Sequence, residues 1–490
     1  MASPSFDLGP APTRGPGSPA TVRPRQWQSQ LIQLLRRRVS QPDPAGHDVL
    51  IHAGPGAGKT LGALLSFQRL RQEGHLSHLL VFCHRSSIAS QWHTAAARLG
   101  LRLRDWDPEQ PQSLGEAGTE EPWQGLLLTY QAAGRHRTAL RQALENARLG
   151  RVLAIADEVH HLGVDPEEPE ACAWGHAFTS LTAHAVLRLG LTGTPFRADN
   201  LAFCAARRVR VKDASGVAWR IEPDLSVEPR QLIVAGDVRP LEFRFQDGWV
   251  DHGRAGEAAG DQESSPLSAE GRESWRARNL RRAIRLGDSS SIALRLLLAA
   301  RRRLERVRQE HPEAGGLVIA RDIAHARRIS GLLEEEGDRV HLVHSQDPEA
   351  PRRLAEFQAG EGDWLVSIDM CAEGFDAPRL RVVAYLTTVV TRSRFVQAIT
   401  RAVRMEDSRS ALEAIPRQPS YVFAPADPLL IGYARSWSLV EPYLVRARPD
   451  SEEPASGGGS AQSLPLQALA DRAGAVLHLK GPQLPGFLQS

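Results

Sequence analysis

The stretch VLIHAGPGAGKTLGALLSFQRL spans residues 49–70 and decides the fold of the first part of the chain. Its apolar beginning, VLIHA, predicts a buried strand, and its end, from Leu61 onward, predicts a helix. The turn between them consists of Gly54, Pro55, Gly56, Ala57, Gly58, Lys59 and Thr60. A strand, a glycine-rich turn and a helix in this order predict a phosphate-binding loop rather than a plain glycine turn.

The chemistry of this turn follows from its residue types. Glycines allow backbone N–H groups to converge on phosphate oxygens, and the N-terminus of the following helix adds positive potential. We expect Lys59 to reach the β- and γ-phosphates of a bound nucleotide and Thr60 to ligate Mg²⁺.

A pair of carboxylates follows a second apolar run. VLAIA at 152–156 ends at Asp157 and Glu158, where the carboxyl edge of a strand should lie, and open α/β sheets bind ligands at that edge. We expect Asp157 to hold Mg²⁺ through water. Glu158 would orient and deprotonate the water that attacks a phosphate in line. Taken alone, the pattern D-E-x-H is as typical of solvated loop charge, but the preceding phosphate-binding loop favours the catalytic interpretation.

Short apolar runs alternate with helical stretches along most of the chain. Such alternation predicts parallel sheets covered by helices, and two blocks of it predict two α/β lobes with a cleft between them. In the first block the predicted strands are 49–53, 78–82, 125–130, 152–156 and 186–192. In the second block a helix at 291–307 precedes strands at 316–320, 339–343, 364–368 and 381–386.

Composition divides the chain further. Pro, Gly and Ala dominate the first 20 residues, and polar, glycine-containing stretches occupy 246–275 and 450–463. Such stretches are typical of leaders, connectors and flexible tails. The predicted parts are a disordered leader (1–20), a first, ATP-binding lobe (21–245), a polar connector (246–285), a second lobe (286–445) and a flexible tail (446–490).

The overall composition excludes several classes of protein. Of the 490 residues, 42% are hydrophobic and 24% charged, which excludes a collagenous or wholly disordered chain. The 60 basic and 57 acidic residues leave a net charge of +3, so total charge does not indicate a polyanionic partner. No apolar run approaches the ~20 residues that span a bilayer, and the first residues lack the layout of a signal peptide. We expect a soluble, cytoplasmic protein with no membrane partner. Its four widely spaced cysteines argue against a zinc site.

Taken together, these motifs resemble the superfamily 2 helicases and translocases of the DExH type, within the DEAD/DEAH-box family. GPGAGKT is similar to motif I, and DEVH, which ends at His160, to motif II. VRPRQWQ resembles the adenine-recognising segment, with Gln26 in the matching position. LTGTPFR resembles motif III, in which Thr192 and Thr194 would link the state of ATP to the grip on nucleic acid. The resemblance implies two tandem RecA-like lobes, ATP and Mg²⁺ as ligands, and a role for His160 in coupling hydrolysis to movement.

The second block extends the resemblance to motif V. SIDMCAEGFDAPRL at 367–380 is similar to that motif, and it implies that Gly374 and Asp376 contribute to ATP binding.

FVQAITRAVR at 395–404 resembles motif VI, which implies catalytic roles for Gln397, Arg401 and Arg404. On one continuous helix these residues would lie at i, i+4 and i+7 and would share a face. Arginine suits such a face because its planar fork pairs with phosphate oxygens. The family usually has glycine where Thr400 stands, so Arg404 is the preferred arginine finger. Alone, the segment is also typical of an amphipathic surface helix.

Two first-block segments resemble the nucleic-acid contacts of the family. CHRSS contains Arg85, and TYQ contains Thr129 and Tyr130. Such contacts go to sugar and phosphate, so we expect no base specificity.

The sequences of motifs V and VI are most similar to those of type III restriction helicase subunits and RadD-like bacterial and phage proteins. That similarity implies an ATP-dependent DNA helicase or translocase, with DNA favoured over RNA as the nucleic-acid partner. It also implies a nuclease or a defence or repair protein as the kind of protein partner. An RNA helicase of the DExH type and an ATP-switched interaction subunit remain alternatives.

Overall fold

The computed structural model of the chain describes most residues of the two predicted lobes. The described residues are 22–40, 47–84, 86–107, 109, 122–162, 173–193, 196–197, 209–213, 216–251, 264–269, 271, 273–287, 291–368, 375, 377–405, 410, 412–437, 443–446 and 476–480. Among the helices within these ranges, none has the length and apolar composition that crossing a membrane requires.

Strands and helices alternate along the chain, as the apolar runs predict. The strands are β1 (Asp48–Ala53), β2 (His78–Cys83), β3 (Leu103–Asp105), β4 (Gly125–Thr129), β5 (Val152–Asp157), β6 (Leu187–Thr192), β7 (Phe196–Arg197), β8 (Val209–Asp213), β9 (Gly216–Ile221), β10 (Leu225–Val227), β11 (Leu241–Gln246), β12 (Trp249–Asp251), β13 (Ser264–Pro266), β14 (Gly315–Ala320), β15 (Val340–Val343), β16 (Trp364–Ile368), β17 (Leu380–Leu386), β18 (Ser420–Pro425), β19 (Tyr443–Arg446) and β20 (Val476–Lys480). The helices are α1 (Gln26–Ser40), α2 (Lys59–Gln72), α3 (Ser86–Arg98), α4 (Tyr130–Arg135), α5 (Arg137–Ala147), α6 (Ala173–Leu181), α7 (Pro229–Val234), α8 (Glu273–Ala283), α9 (Ile292–Glu310), α10 (Ile323–Glu335), α11 (Ala350–Gln358), α12 (Arg392–Ile399) and α13 (Pro428–Ser436).

A parallel sheet of seven strands forms the centre of the first lobe. Its strand order is β10-β1-β6-β5-β2-β4-β3, and every neighbouring pair is parallel. β1 and β5 are buried along their whole length. Continuous burial of short apolar strands is expected when helices cover both faces of a parallel sheet. The adjacent strands β1, β6 and β5 therefore bring their carboxyl ends to one edge.

The second lobe is built around another sheet of seven strands. Its order is β15-β16-β14-β17-β18-β11-β20, in which the first six strands are parallel and β20 is antiparallel to β11. The α/β fold class and both predicted blocks of strands are confirmed. Several helices begin at side-chain caps: Ser291 caps α9, Asp322 caps α10 and Asp427 caps α13. Each cap accepts hydrogen bonds from backbone N–H groups that the first turn leaves without intrahelical partners.

Two strands pair differently from what the division of the sequence suggests. β11 lies in the part of the chain assigned to the first lobe, but it pairs with β18 of the second sheet. β20 lies in the expected flexible tail, and it pairs with β11. The expected connector contains β12, β13 and α8 among its described residues. Two smaller sheets, β12-β13 and β7-β19-β9-β8, complete the described strands.

The two lobes are in direct contact beside the phosphate-binding loop. A methyl carbon at Gly56 would lie 3.1 Å from Val238 Cγ1 and 3.2 Å from Val403 Cγ2. The Arg239 N–H donates a hydrogen bond to the Val403 carbonyl oxygen (2.8 Å). The segment that leads into β11 is therefore packed between the loop of the first lobe and the end of α12.

Candidate functional site

The phosphate-binding loop connects β1 to α2, and its backbone favours glycine at two positions. Gly56 and Gly58 have φ values of +78° and +80°, which residues with a Cβ rarely adopt. Lys59 begins α2, Thr60 follows in the same turn, and Lys59 Nζ lies 3.3 Å from the Ala53 carbonyl oxygen. A helix N-terminus and an ammonium group thus meet at one point, as anion binding requires. Gly54 and Ala57 are buried in the same loop.

Three side chains from the start of α1 hold the carbonyl groups of this loop. Arg25 Nη1 donates to the Gly56 carbonyl oxygen (2.8 Å), Trp27 Nε1 to that of Ala57 (2.9 Å) and Gln28 Nε2 to that of Gly58 (3.0 Å). Gln28 is fully buried, and its Oε1 accepts a hydrogen bond from the Arg25 backbone N–H. Three successive carbonyl groups of the loop are thus occupied by hydrogen bonds from this segment. The sequence did not identify them, because it singled out Gln26.

Gln26 and Gln28 form a matched pair for a test of stability against nucleotide recognition. Gln28→Ala removes two hydrogen bonds in a buried place, so we expect it to lower the free energy of unfolding by about 1–3 kcal/mol. Gln26 is exposed, so Gln26→Ala should change stability by less than about 0.5 kcal/mol. If Gln26 recognises adenine, the same variant weakens ATP binding relative to GTP. Denaturant titration and competition binding measure the two effects, and equal stability of the two variants would contradict the role of Gln28.

The two carboxylates at the end of β5 lie in different environments. Asp157 is buried; desolvation and the neighbouring Glu158 carboxylate raise its pKa to about 6, and Trp92 Nε1 donates to its Oδ2 (2.9 Å). The Glu158 side chain is 30% exposed, and its backbone has a φ of +49°. A left-handed conformation is strained for a glutamate, and strain of this kind concentrates at functional sites.

Glu158 joins the three neighbouring strand ends. Its Oε1 lies 3.3 Å from Lys59 Nζ, and its Oε2 accepts a hydrogen bond from the Gly193 N–H (3.4 Å). A methyl carbon at Gly193 would lie 2.8 Å from Lys59 Nζ, so a side chain there would displace the ammonium group from its present position. Thr192, the last residue of β6, is fully buried between β1 and β5. The structure thus brings Lys59, Asp157, Glu158 and Thr192 together.

One histidine beside this group is held in its neutral form. His52 lies in β1, and burial together with the Lys59 charge lowers its pKa to about 4. Its Nδ1 lies 3.3 Å from Ser226 Oγ in β10. At neutral pH, His52 therefore adds no positive charge beside the Lys59 ammonium group.

Arg404 reaches the phosphate-binding loop from the second lobe. A methyl carbon at Gly56 would lie 3.7 Å from Arg404 Cγ, and the Arg404 side chain is only partly exposed. Arg401 is buried in another direction, and its Nη1 donates to the Phe375 carbonyl oxygen. Arg404 thus lies beside the loop, and Arg401 is bonded to the segment before β17.

The prediction of one helical face for Gln397, Arg401 and Arg404 is wrong. α12 ends at Ile399, and turns follow, with the Arg401 N–H bonded to the Ala398 carbonyl and the Ala402 N–H to that of Ile399. Thr400 Oγ1 also donates to the Gln397 carbonyl oxygen (3.2 Å). Hydroxyl groups that bond nearby carbonyls compete with continued helix. The chain therefore turns after Thr400, and the two arginines point to different neighbours.

The expected nucleic-acid contacts have mixed outcomes. Tyr130 is fully buried, and its hydroxyl donates to the Asp157 carbonyl oxygen (2.8 Å), so the side chain of this expected contact residue is not exposed in the structure. Thr129 is the N-cap of α4, and its side chain accepts a hydrogen bond from the Ala132 N–H. The backbone of His160 lies in a short 3₁₀ helix, Val159–His161. Arg85, Thr194, Gly374 and Asp376 lie outside the described residues.

The residues at this edge fit a magnesium nucleotide. Burial raises the pKa of Asp157. A cation close to a buried carboxylate stabilises its charged form, so a bound metal ion would favour the ionised Asp157. The Thr60 hydroxyl and a carboxylate are oxygen ligands of the kind that Mg²⁺ takes. Lys59 pairs with Glu158, and a phosphate would compete for the same ammonium group. Anion-binding backbone, a cation site and a water-activating carboxylate are the parts of a phosphoryl-transfer site.

Two protein families match the chain. The family described as type III restriction enzyme, res subunit, matches residues 21–197, and the helicase conserved C-terminal domain matches residues 299–406. The first match contains the phosphate-binding loop and the carboxylate pair, and the second contains Arg404.

Relatives in other organisms match over most of the chain. It is 34% identical over 442 residues to uncharacterized protein MT2985 of Mycobacterium tuberculosis (strain CDC 1551 / Oshkosh), a match that covers 88% of this chain and 66% of the relative. It is 22% identical over 398 residues to a protein of Sulfolobus islandicus filamentous virus described as helicase 22, a match that covers 78% of this chain and 62% of the viral protein. The chain thus spans slightly less than two thirds of the length of these relatives.

A solved structure has the same fold. It is described as a fragment of an HsdR subunit of a type I restriction enzyme from Vibrio vulnificus YJ016. It aligns with a TM-score of 0.52 and 17% identity over 86% of this chain and 67% of the solved chain. At this identity the likeness concerns the arrangement of the two sheets and their helices alone.

Proposed function

Because the chain belongs to the superfamily 2 helicases, with a first lobe of the type III restriction enzyme res subunit kind, we propose that it hydrolyses ATP to move along DNA or to unwind it. The observation that carries the proposal is the position of Arg404, from the second lobe, whose Cγ lies 3.7 Å from the place that a Cβ at Gly56 in the phosphate-binding loop of the first would take. A site that draws residues from both lobes can convert a change at the phosphates into a change between the lobes.

Each described residue of the site has a role in this proposal. Lys59 binds the β- and γ-phosphates, and Glu158 orients the attacking water and accepts its proton. Bound Mg²⁺ would offset the phosphate charge, and Thr60 and Asp157 are the residues that would hold it. Arg404 stabilises the charge that develops on the transferred phosphate, and Gln397 and Arg401 support that end of α12.

Coupling runs through the strand ends that Glu158 joins. Its hydrogen bond from Gly193 and its ion pair with Lys59 connect the phosphate-binding loop with the segment after Thr192. Loss of the γ-phosphate changes what Lys59 and Arg404 bind, and we propose that the interface at Val238 and Val403 opens in response. Repeated opening and closing would step the two lobes along a strand. From the resemblance to this family we also propose that a nuclease, or a defence or repair protein, is the partner of the chain.

ATP hydrolysis by the purified chain tests this proposal. We expect single-stranded or forked DNA to stimulate hydrolysis at least about tenfold over protein alone, because a bound strand that touches both lobes would favour the closed cleft in which the catalytic residues meet. Stimulation by RNA and not by DNA would replace the DNA motor with an RNA helicase. The same low hydrolysis with single-stranded, duplex and forked DNA and with RNA would contradict the motor and favour an ATP-switched interaction subunit.

A further inference from the structure

An open groove lies between α4 and α6, away from the phosphate-binding loop. It has a volume of about 360 Å³ and is lined by Gln131, Gly134, Arg135, Ala173 and Trp174. That volume falls in the range of small-ligand sites, ~300–1,000 Å³. Among the described residues, its lining combines one indole, one guanidinium and one amide with two small residues.

Packing fixes the position of the indole in this groove. Trp174 is partly exposed, and its ring is nearly parallel to that of Tyr130, with centroids 6.3 Å apart and an interplanar angle of 18°. The His84 ring lies edge-on to the Trp174 ring, with centroids 5.5 Å apart. A methyl carbon at Gly134 would lie 3.0 Å from Trp174 Cδ1, so glycine is what allows helix and ring to approach. Trp174 is therefore a rigid apolar surface rather than a mobile side chain.

One guanidinium group lines the groove. Arg135 is among the lining residues, and it is exposed. An indole beside a guanidinium group complements a ligand that has both an aromatic ring and negative charge.

From this geometry we infer that the groove binds one nucleobase of a single strand, stacked on Trp174, with a flanking phosphate paired to Arg135. Stacking on an aromatic side chain accepts any base, because every base has a π-face. The Gln131 amide provides a donor and an acceptor for the base edge. The inference rests on the proposed function, since it identifies where the polymer of that function is gripped.

The wall of this groove is connected to the carboxylate pair. The Tyr130 hydroxyl donates to the Asp157 carbonyl oxygen, and Tyr130 packs on Trp174. His84 stacks on His161 with centroids 3.9 Å apart and an interplanar angle of 8°, and His161 follows Glu158 by three residues. A base that presses on Trp174 would therefore act on rings that contact the segment bearing Asp157 and Glu158.

Photo-crosslinking and binding of one oligonucleotide test the inference. The probe is oligo-dT with a single iododeoxyuridine, and we expect mass spectrometry to map its crosslink to Trp174. Trp174→Leu keeps apolar volume without an aromatic ring, so Kd for oligo-dT should rise about tenfold, within the ~1–3 kcal/mol that one stacked base contributes. Trp174→Phe should stay within about threefold of wild type, and Arg135→Ala should weaken binding and its dependence on salt.

Trp275→Leu is the matched control. Trp275 is also partly exposed and next to an arginine, with Arg278 Cζ 5.4 Å from its ring centroid, but it lies in α8. Wild-type affinity in Trp275→Leu together with weak binding in Trp174→Leu supports the groove. Wild-type affinity in Trp174→Leu, or a crosslink that maps only elsewhere, overturns it while the proposed function stands. Failure of the wild-type chain to bind any oligonucleotide contradicts the proposed function itself.

Discussion

Replacing Glu158 with glutamine is expected to lower kcat for ATP hydrolysis by about 10²–10⁴-fold, the usual contribution of a positioned general base. Glutamine keeps the shape of the side chain but cannot accept the proton of the attacking water. The strained backbone of Glu158 and its contacts with Lys59 and Gly193 hold the carboxylate in one place. ATP affinity should not fall, because the variant removes a negative charge from the neighbourhood of the phosphates.

Steady-state hydrolysis and nucleotide binding separate these two effects for Glu158→Gln. Glu145→Gln is the control, because Glu145 is exposed on α5, away from the site. A kcat of Glu158→Gln within about threefold of the control would show that another group accepts the proton. Loss of ATP binding instead of kcat would assign Glu158 to holding Lys59 rather than to chemistry.

Replacing Arg404 with alanine is expected to lower kcat by about 10³–10⁵-fold, the range known for arginine fingers. Arg404 is the second-lobe arginine beside Gly56, and its fork can pair with two phosphate oxygens as the reaction proceeds. Arg404→Lys should recover only a small part of the loss, since an ammonium group is a single point charge. KM for ATP should change much less than kcat.

Arg401→Ala provides the contrast within the same segment. Arg401 is buried and donates to the Phe375 carbonyl oxygen, so its removal should lower the free energy of unfolding by about 1–3 kcal/mol. Thermal unfolding and kcat, measured together for both variants, separate a catalytic from a structural loss. A larger loss of kcat in Arg401→Ala than in Arg404→Ala, at equal stability, would exchange the two roles.

The sequence predicted the parts of the fold that depend on local patterns. Runs such as 49–53 and 152–156 are buried on both faces of a sheet. Each run is therefore mainly apolar, and its strand can be predicted from the run alone. No strand was predicted at β11, and the division of the sequence put most of it in the first lobe. Its partner β18 lies about 180 residues further along the chain, and strand pairing over such a distance leaves no local pattern.

The residues of the site could be predicted where their chemistry restricts the residue type. They could not be predicted where packing determines which side chain reaches the site. Lys59, Asp157 and Glu158 follow from strand ends and residue types, and the structure brings them together. The prediction that residues 395–404 form one continuous helix is wrong, because α12 ends before Thr400. Gln28 carries no signal that distinguishes it from Gln26, since only the folded chain shows which amide is buried against the loop.

Displacement of a third strand from a DNA triplex is the sharpest test of the proposed motor, because a motor that moves along DNA must push the third strand off. We expect ATP-dependent displacement by the wild-type chain, none without ATP and none by Glu158→Gln. DNA-stimulated ATP hydrolysis with no displacement of the third strand, and no unwinding of a forked duplex in parallel, would contradict it.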